Sequence, residues 1–260
     1  MMRSGETPVF SFAFHPRSRL PENPLLPNRK LRELHALIER CRDLEKRNPA
    51  RARAGAREAL LAATAIQLLP GDVLLAEPGD RAAAALAPLP KSSAAPAAAT
   101  PSIPRIPLAA AMAAGLQAAA TAEGANAGLV LALARAAAAE PGWSAALEWA
   151  HAAQLPLLLC CADATGGKLP RAGASKQDPA LTWTNLSRFA KKLRLPVFAV
   201  DGEDAVAVYR VMQESVIRAR DGGGPAVLWA VLSPQPPTGL QRPLARLRSY
   251  LAARRIPLLR

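Results

Sequence analysis

The sequence predicts an α/β fold: an open, mostly parallel sheet with helices on both faces and extra helices at its N-terminal side. From Leu129 onward, apolar runs of five to seven residues alternate with helical stretches. Those runs are almost continuously apolar, as strands are when both faces of a parallel sheet are covered. The chain of 260 residues is half apolar, enough for a sizeable core.

Residues 1–29 contain five prolines among scattered polar groups and are expected to form an extended arm, with one domain over 30–260. From Lys30 the period changes, and Leu31, Leu34, Leu37, Ile38, Cys41 and Leu44 recur at helical spacing until Pro49 closes the segment. A second helix is expected from Arg53 to Leu69, stopped by Pro70-Gly71 and followed by a short strand, Val73 to Leu75. Residues 87–106, rich in proline and alanine without a usable period, are expected to be a mobile loop. Pro107 suits a first helical turn, so LAAAMAAGLQAAATA is expected to be helical and Gly124 to end it.

The expected strands then run Leu129 to Leu133, Leu155 to Cys161, Pro196 to Val200 and Ala226 to Leu232. Helices fill the gaps at Trp143 to Gln154, Leu186 to Leu193 and Ala205 to Arg220, and a last amphipathic helix covers Pro243 to Ala253. This succession of βαβ units implies right-handed crossovers in a parallel sheet.

The formal charge of +13 raises the possibility of nucleic-acid binding. The arginines, however, occur singly or in pairs at solvent-face spacing, without interleaved aromatics on which bases could stack. A solvated basic surface is the expected reading. Cys41, Cys160 and Cys161 are an odd set in apolar surroundings, which indicates core use in a reducing compartment. The opening MMRSGETPVF lacks the apolar run of a secretory signal, and Gln117, Glu123 and Asn126 interrupt the alanine-rich stretch Ala109 to Ala134. The expectation is a cytoplasmic protein with no membrane span.

Common short motifs of nucleotide and metal chemistry are missing: there is no GxGxxG, phosphate-loop lysine motif, HExxH or CxxC. His15, His35 and His151 are isolated in sequence, and packing or solvation accounts for them. In VDGEDAVAVYRVMQESVIRARDGGGPAVLWA, Val200 to Ala230, Glu203 and Asp204 stand where they could cap a helix, and Arg218 and Arg220 stand at its end.

This segment resembles the alpha subunit of the first component of thiamine-diphosphate-dependent 2-oxo acid dehydrogenases, of the pyruvate, branched-chain and acetoin type. There, a VDG-x-D turn, a helix ending in RAR-x-G-x-GP and a strand occur in the same order. AREALLAATAIQLLPGDVLL resembles the family's glycine-glutamine-glutamate-alanine helix and PGD turn, with Glu58 and Ala59 kept. IPLAAAMAAGLQAA, ALEWAHAAQLPLLLCC and RPLARLRSYLAARRI resemble further family blocks in colinear order. The resemblance implies the thiamine-diphosphate-binding fold.

It also implies a divalent cation held by the aspartate of a Gly-Asp-Gly turn and by the second asparagine of an Asn-Asn pair. An ungapped match over ALEWA puts these motifs on Ala134-Arg135-Ala136 and on Asp163-Ala164. A guanidinium repels magnesium and alanine offers no side-chain oxygen, so both ligands are replaced; Gly166 adds at most a backbone carbonyl. The family's diphosphate-contacting Tyr-Arg pair and a nearby histidine fall on Pro78, Gly79 and Arg81, and SPQPPTG replaces a histidine-rich loop. Arg135, Asp163, Ala164 and Gly166 are thus expected to line a vestigial pocket, with no catalytic residue and no metal ligand.

Arg135 has three possible dispositions: an ion pair with Asp163, direct capture of an anion near the following helix, or simple solvation. The ion pair needs only local satisfaction of two charges and is the expected one. The function expected is that of a pseudoenzyme, an alpha-subunit-like structural or regulatory protein without cofactor. It would pair with a beta-subunit-like chain or with itself, through the small-residue helix Ala109 to Ala120. The alternatives are a working oxidative decarboxylase subunit using thiamine diphosphate and magnesium, and a basic nucleic-acid-binding protein.

Overall fold

The computed structural model describes residues 26–46, 57–76, 83, 104–137, 140–166, 180–233 and 242–258. Helices α1 (Asn28–Lys46) and α2 (Glu58–Gln67) precede strand β1 (Val73–Leu75). Helix α3 (Arg105–Glu123), β2 (Val130–Arg135), α4 (Trp143–Ala152), β3 (Leu157–Asp163) and α5 (Trp183–Leu193) follow. The chain continues through β4 (Val197–Asp201), α6 (Ala205–Arg220), β5 (Ala226–Val231) and α7 (Pro243–Ala253). The five strands form one wholly parallel sheet in the order β1-β2-β3-β5-β4.

Alternation along each strand sends side chains to two cores. Leu131, Leu133, Cys160, Ala162, Leu228 and Ala230 meet residues of α1, α2, α6 and α7 on one face. On the other, Val130, Ala132, Ala134, Leu159, Cys161 and Trp229 meet α3, α4 and α5. Both faces are therefore covered, which is why these strands read as unbroken apolar runs. Each fully buried leucine contributes about 1.5–3 kcal/mol relative to exposure.

Boundaries moved where polar residues end an element. The ladder continues through Arg135↔Ala162 and Asp163↔Val231, so β2 and β3 run two residues beyond their expected apolar ends. The expected arm gives way to α1 at Asn28, where the Lys30 and Leu31 amides donate to the Pro27 carbonyl, and Leu26 is already buried. Residues 1–25 lie outside the described residues. Helix α3 begins at Arg105, inside the expected loop, because the Arg105 amide donates to Glu140 Oε2 at 2.9 Å. The rest of that loop, 87–103, also lies outside the described residues.

Several sequence signals have structural causes. Gly124 ends α3 in the left-handed conformation, at φ 65°. Asp204 caps α6, accepting from Val206 and Ala207 at 3.0 Å. Glu203 does not share that duty; its Oε1 accepts from the Ser233 amide and ties the turn to the end of β5. A Cβ on Gly202 would lie 2.5 Å from Leu232 Cδ2 and 3.0 Å from the Val231 carbonyl, so the VDG turn needs its glycine for close approach.

Helices α1 and α7 are braced by Arg248, whose Nε donates to His35 Nε2 at 3.1 Å and whose Nη2 reaches Glu39. Accepting at Nε2 requires a neutral imidazole, whose Nδ1 faces Glu39 Oε2 at 3.5 Å. Burial, the largest influence, holds His35 below the ordinary histidine value of 6.5; Glu39 opposes this and Arg248 adds to it. The folded chain thus binds fewer protons here than the unfolded one. The stability contributed is present above the ordinary histidine value and is lost as pH falls through the folded one. Against a His35→Gln variant, the wild type is expected to lose roughly 1 kcal/mol more between pH 7.5 and 5, about one hydrogen bond. Urea midpoints at both pH values check this.

Candidate functional site

In open parallel sheets, sites form beyond the carboxyl ends of the strands. Arg135 ends β2, Asp163 ends β3, Asp201 ends β4, and Ser233 follows β5. The amino end of α2 is at the same edge: the charges of Arg42, Arg242 and Glu203 act on Glu58 in its first turn. Burial, the largest influence, raises the Glu58 carboxyl pKa, while its own backbone amide and the two arginines pull it down. Its Oε2 is buried without a hydrogen-bond partner among the described residues.

Strand register separates two residues that sequence reasoning had paired. Arg135 stands opposite Ala162, so it shares the face of Ala162, and Ala164 packs against that same core. Asp163, one residue from each, points to the other face. There its Oδ1 accepts from the Thr165 amide at 2.9 Å and hydroxyl at 2.6 Å, and its Oδ2 accepts from Trp229 Nε1 at 3.1 Å. The expected Arg135–Asp163 ion pair therefore does not form: the carboxylate is satisfied by Thr165 and Trp229 instead. The Trp229 ring is in turn packed against Trp183, with centroids 5.7 Å apart. Gly166 follows in a left-handed turn at φ 60°.

The donor set does not suit a magnesium-held diphosphate. Arg135 brings a positive charge, Ala164 brings no side-chain oxygen, and Asp163 is turned away with both oxygens engaged. Among the described residues no group of three or more histidine, cysteine or acidic side chains is arranged to hold a metal. Pro78, Gly79, Arg81 and most of SPQPPTG lie outside the described residues. Burial raises the thiol pKa of both Cys160 and Cys161, in keeping with cysteines used for packing. No helix of the described residues is long and apolar enough to cross a membrane.

Sequence reasoning missed two polar clamps around this framework. Asp72 of the PGD turn accepts from the amides of Leu69 and Leu129 and from Arg220 Nη2, which also donates to the Gln67 carbonyl. Glu140, after β2, binds both the backbone and the guanidinium of Arg105. The motif residues Asp72 and Arg220 could have signalled the first clamp; nothing local signals the second.

The family model described as Dehydrogenase E1 component matches residues 100–232, just over half of the chain. No curated protein matches. Among solved structures, the chain is similar to an X-ray structure from Mycobacterium smegmatis described as a thiamin diphosphate-dependent enzyme, at 15% identity and a TM-score of 0.48. The likeness covers 69% of this chain and 32% of that one, so the chain spans about a third of its length.

Proposed function

Because the chain belongs to the dehydrogenase E1 component family, whose members depend on thiamine diphosphate, we propose that it is an alpha-subunit-like member lacking the family's metal-borne diphosphate site. The observation that carries this reading is the pair of residues at the family's ligand positions. Arg135 and Ala164 share one face at the carboxyl edge, and neither side chain supplies a carboxylate or amide oxygen. A fixed guanidinium in that place opposes a divalent cation.

The role left to such a chain is structural or regulatory, as partner of a beta-subunit-like chain or of itself. Helix α3 supports this. Ala111, Gly115, Ala118 and Ala119 are exposed along it, and a Cβ added at Gly115 would meet nothing within 4 Å, so another helix could approach closely.

Isothermal titration of the full chain with thiamine diphosphate, with and without magnesium, tests the proposal. The expected result is no magnesium-dependent binding. Micromolar, magnesium-dependent binding would overturn it and favour the working decarboxylase subunit, as would 2-oxo-acid-dependent reduction of an artificial acceptor with a beta-like chain present.

A further inference from the structure

On the sheet face away from α1, α6 and α7, helices α3 and α4 pack side by side. Their outward positions are mostly small and apolar: Ala111, Gly115 and Ala118 on α3, and Ala145, Trp149 and Ala152 on α4, are all exposed. No charged residue occurs from Ile106 to Ala122, and the one acidic residue of α4, Glu148, has no lysine or arginine beside it in that helix. Two copies of a chain with a formal charge of +13 repel each other over most of their surface. Across this face, free of cations, they can meet.

The face carries a projection and a hollow at the same level. Helix α3 leads into β2 and α4 into β3, and these strands are parallel, so the two helices run the same way. Their first turns are abreast, since a Cβ added at Gly142 would lie 3.5 Å from Pro107 Cγ. Seven residues further along each helix, Trp149 is level with Ala114 and beside Gly115. Trp149 is 47% exposed, and a Cβ added at Gly115 would meet nothing within 4 Å. An exposed indole thus stands on one helix and a gap on its neighbour.

From these observations we infer that the occupant of this face is a second copy of the chain. A two-fold axis lying in the interface, parallel to the helices and midway between them, keeps each level and sets α3 over the partner's α4. Each Trp149 then meets the partner's Gly115, the reciprocity that a two-fold contact requires. With 19 and 10 residues, the helices are about 28 Å and 15 Å long and each about 10 Å wide, a projected face of roughly 430 Å². Monomers rarely leave so large an apolar patch exposed. Buried on both copies, it gives about 900 Å² in projection and more in accessible area, close to the ~1,000 Å² that a specific contact needs.

Self-association deepens the structural role proposed above and rests on it. Failure of that role shows as magnesium-dependent binding of thiamine diphosphate, whereas failure of self-association shows as mass. Sedimentation of the full chain over a micromolar concentration series is expected to give a reversible dimer. Trp149→Ala is expected to weaken it by at least roughly 25-fold, the least effect of a central tryptophan at an interface. Gly115→Glu fills the hollow with a charge and is expected to abolish the dimer, while its better helix propensity preserves the fold. Ile217→Ser, which alters an exposed apolar residue of α6 on the other side of the sheet, is expected to leave dimerisation unchanged. Unfolding midpoints of dilute samples confirm that each variant is folded. A wild type that stays monomeric throughout the series would overturn the inference, even if the same face captured a beta-like chain. So would a dimer undiminished in both Trp149→Ala and Gly115→Glu, or one weakened equally by Ile217→Ser.

Discussion

Replacing Asp72 with alanine is expected to destabilise the protein by about 3–5 kcal/mol, the usual cost of stripping one partner from a buried ion pair. The Asp72 side chain is 1% exposed and accepts from two backbone amides, Leu69 and Leu129, as well as from Arg220 at 2.5 Å. It fastens the end of α2 and the entry to β2 to the last turn of α6, 148 residues away. Removing it leaves a partly buried guanidinium and two uncapped amides. Combining Asp72→Ala with Arg220→Met removes the stranded charge, so the double variant is expected to recover at least about 1 kcal/mol relative to additivity. Urea unfolding of the wild type and the three variants measures this. A single variant within about 1 kcal/mol of wild type would show that the clamp contributes little.

That clamp also explains why two separated family blocks, the PGD turn and the RAR helix end, occur together in this chain. They are the two halves of one contact. Their retention therefore has a structural cause that does not depend on cofactor chemistry.

Strands were easy to find in the sequence because a sheet covered on both faces demands apolar residues at every position, and Leu157 to Cys161 leave no other reading. Their ends were harder. Arg135 and Asp163 still pair along the ladder, but their side chains belong to the sheet's rim, where polarity imitates a loop. The same strand alternation defeated the expected ion pair. Which face each residue takes depends on the β2–β3 register, and Arg135↔Ala162 places Arg135 and Asp163 on opposite sides. Sequence order alone contains no register. The Arg105–Glu140 contact, spanning 35 residues, was equally invisible: a single glutamate beside a proline carries no local sign that it will cap a distant helix.

Under the proposed reading, restoring oxygen-bearing side chains at Arg135 and Ala164 has the largest expected functional effect. In the double variant Arg135→Asp/Ala164→Asn, a carboxylate and an amide oxygen would stand on the same face, since the wild-type positions both belong to the core side that includes Ala162. Removing the guanidinium also removes the charge that opposes a divalent cation. Magnesium-dependent binding of inorganic diphosphate is therefore expected to appear in the double variant. The gain should exceed the roughly 10–100-fold effect of groups that merely orient a metal's ligands, because side chains that would touch the metal directly are being introduced. Arg135→Ala alone should show no such gain, as it supplies no oxygen. Asp163→Asn should be equally ineffective, because that side chain faces Trp229 on the other side of the sheet. Calorimetric titration with and without magnesium reads all four proteins. A folded double variant that binds diphosphate no better than wild type would mean that the two strand ends no longer hold these positions at metal-binding separation. The scaffold itself, and not only its side chains, would then have departed from the family's site.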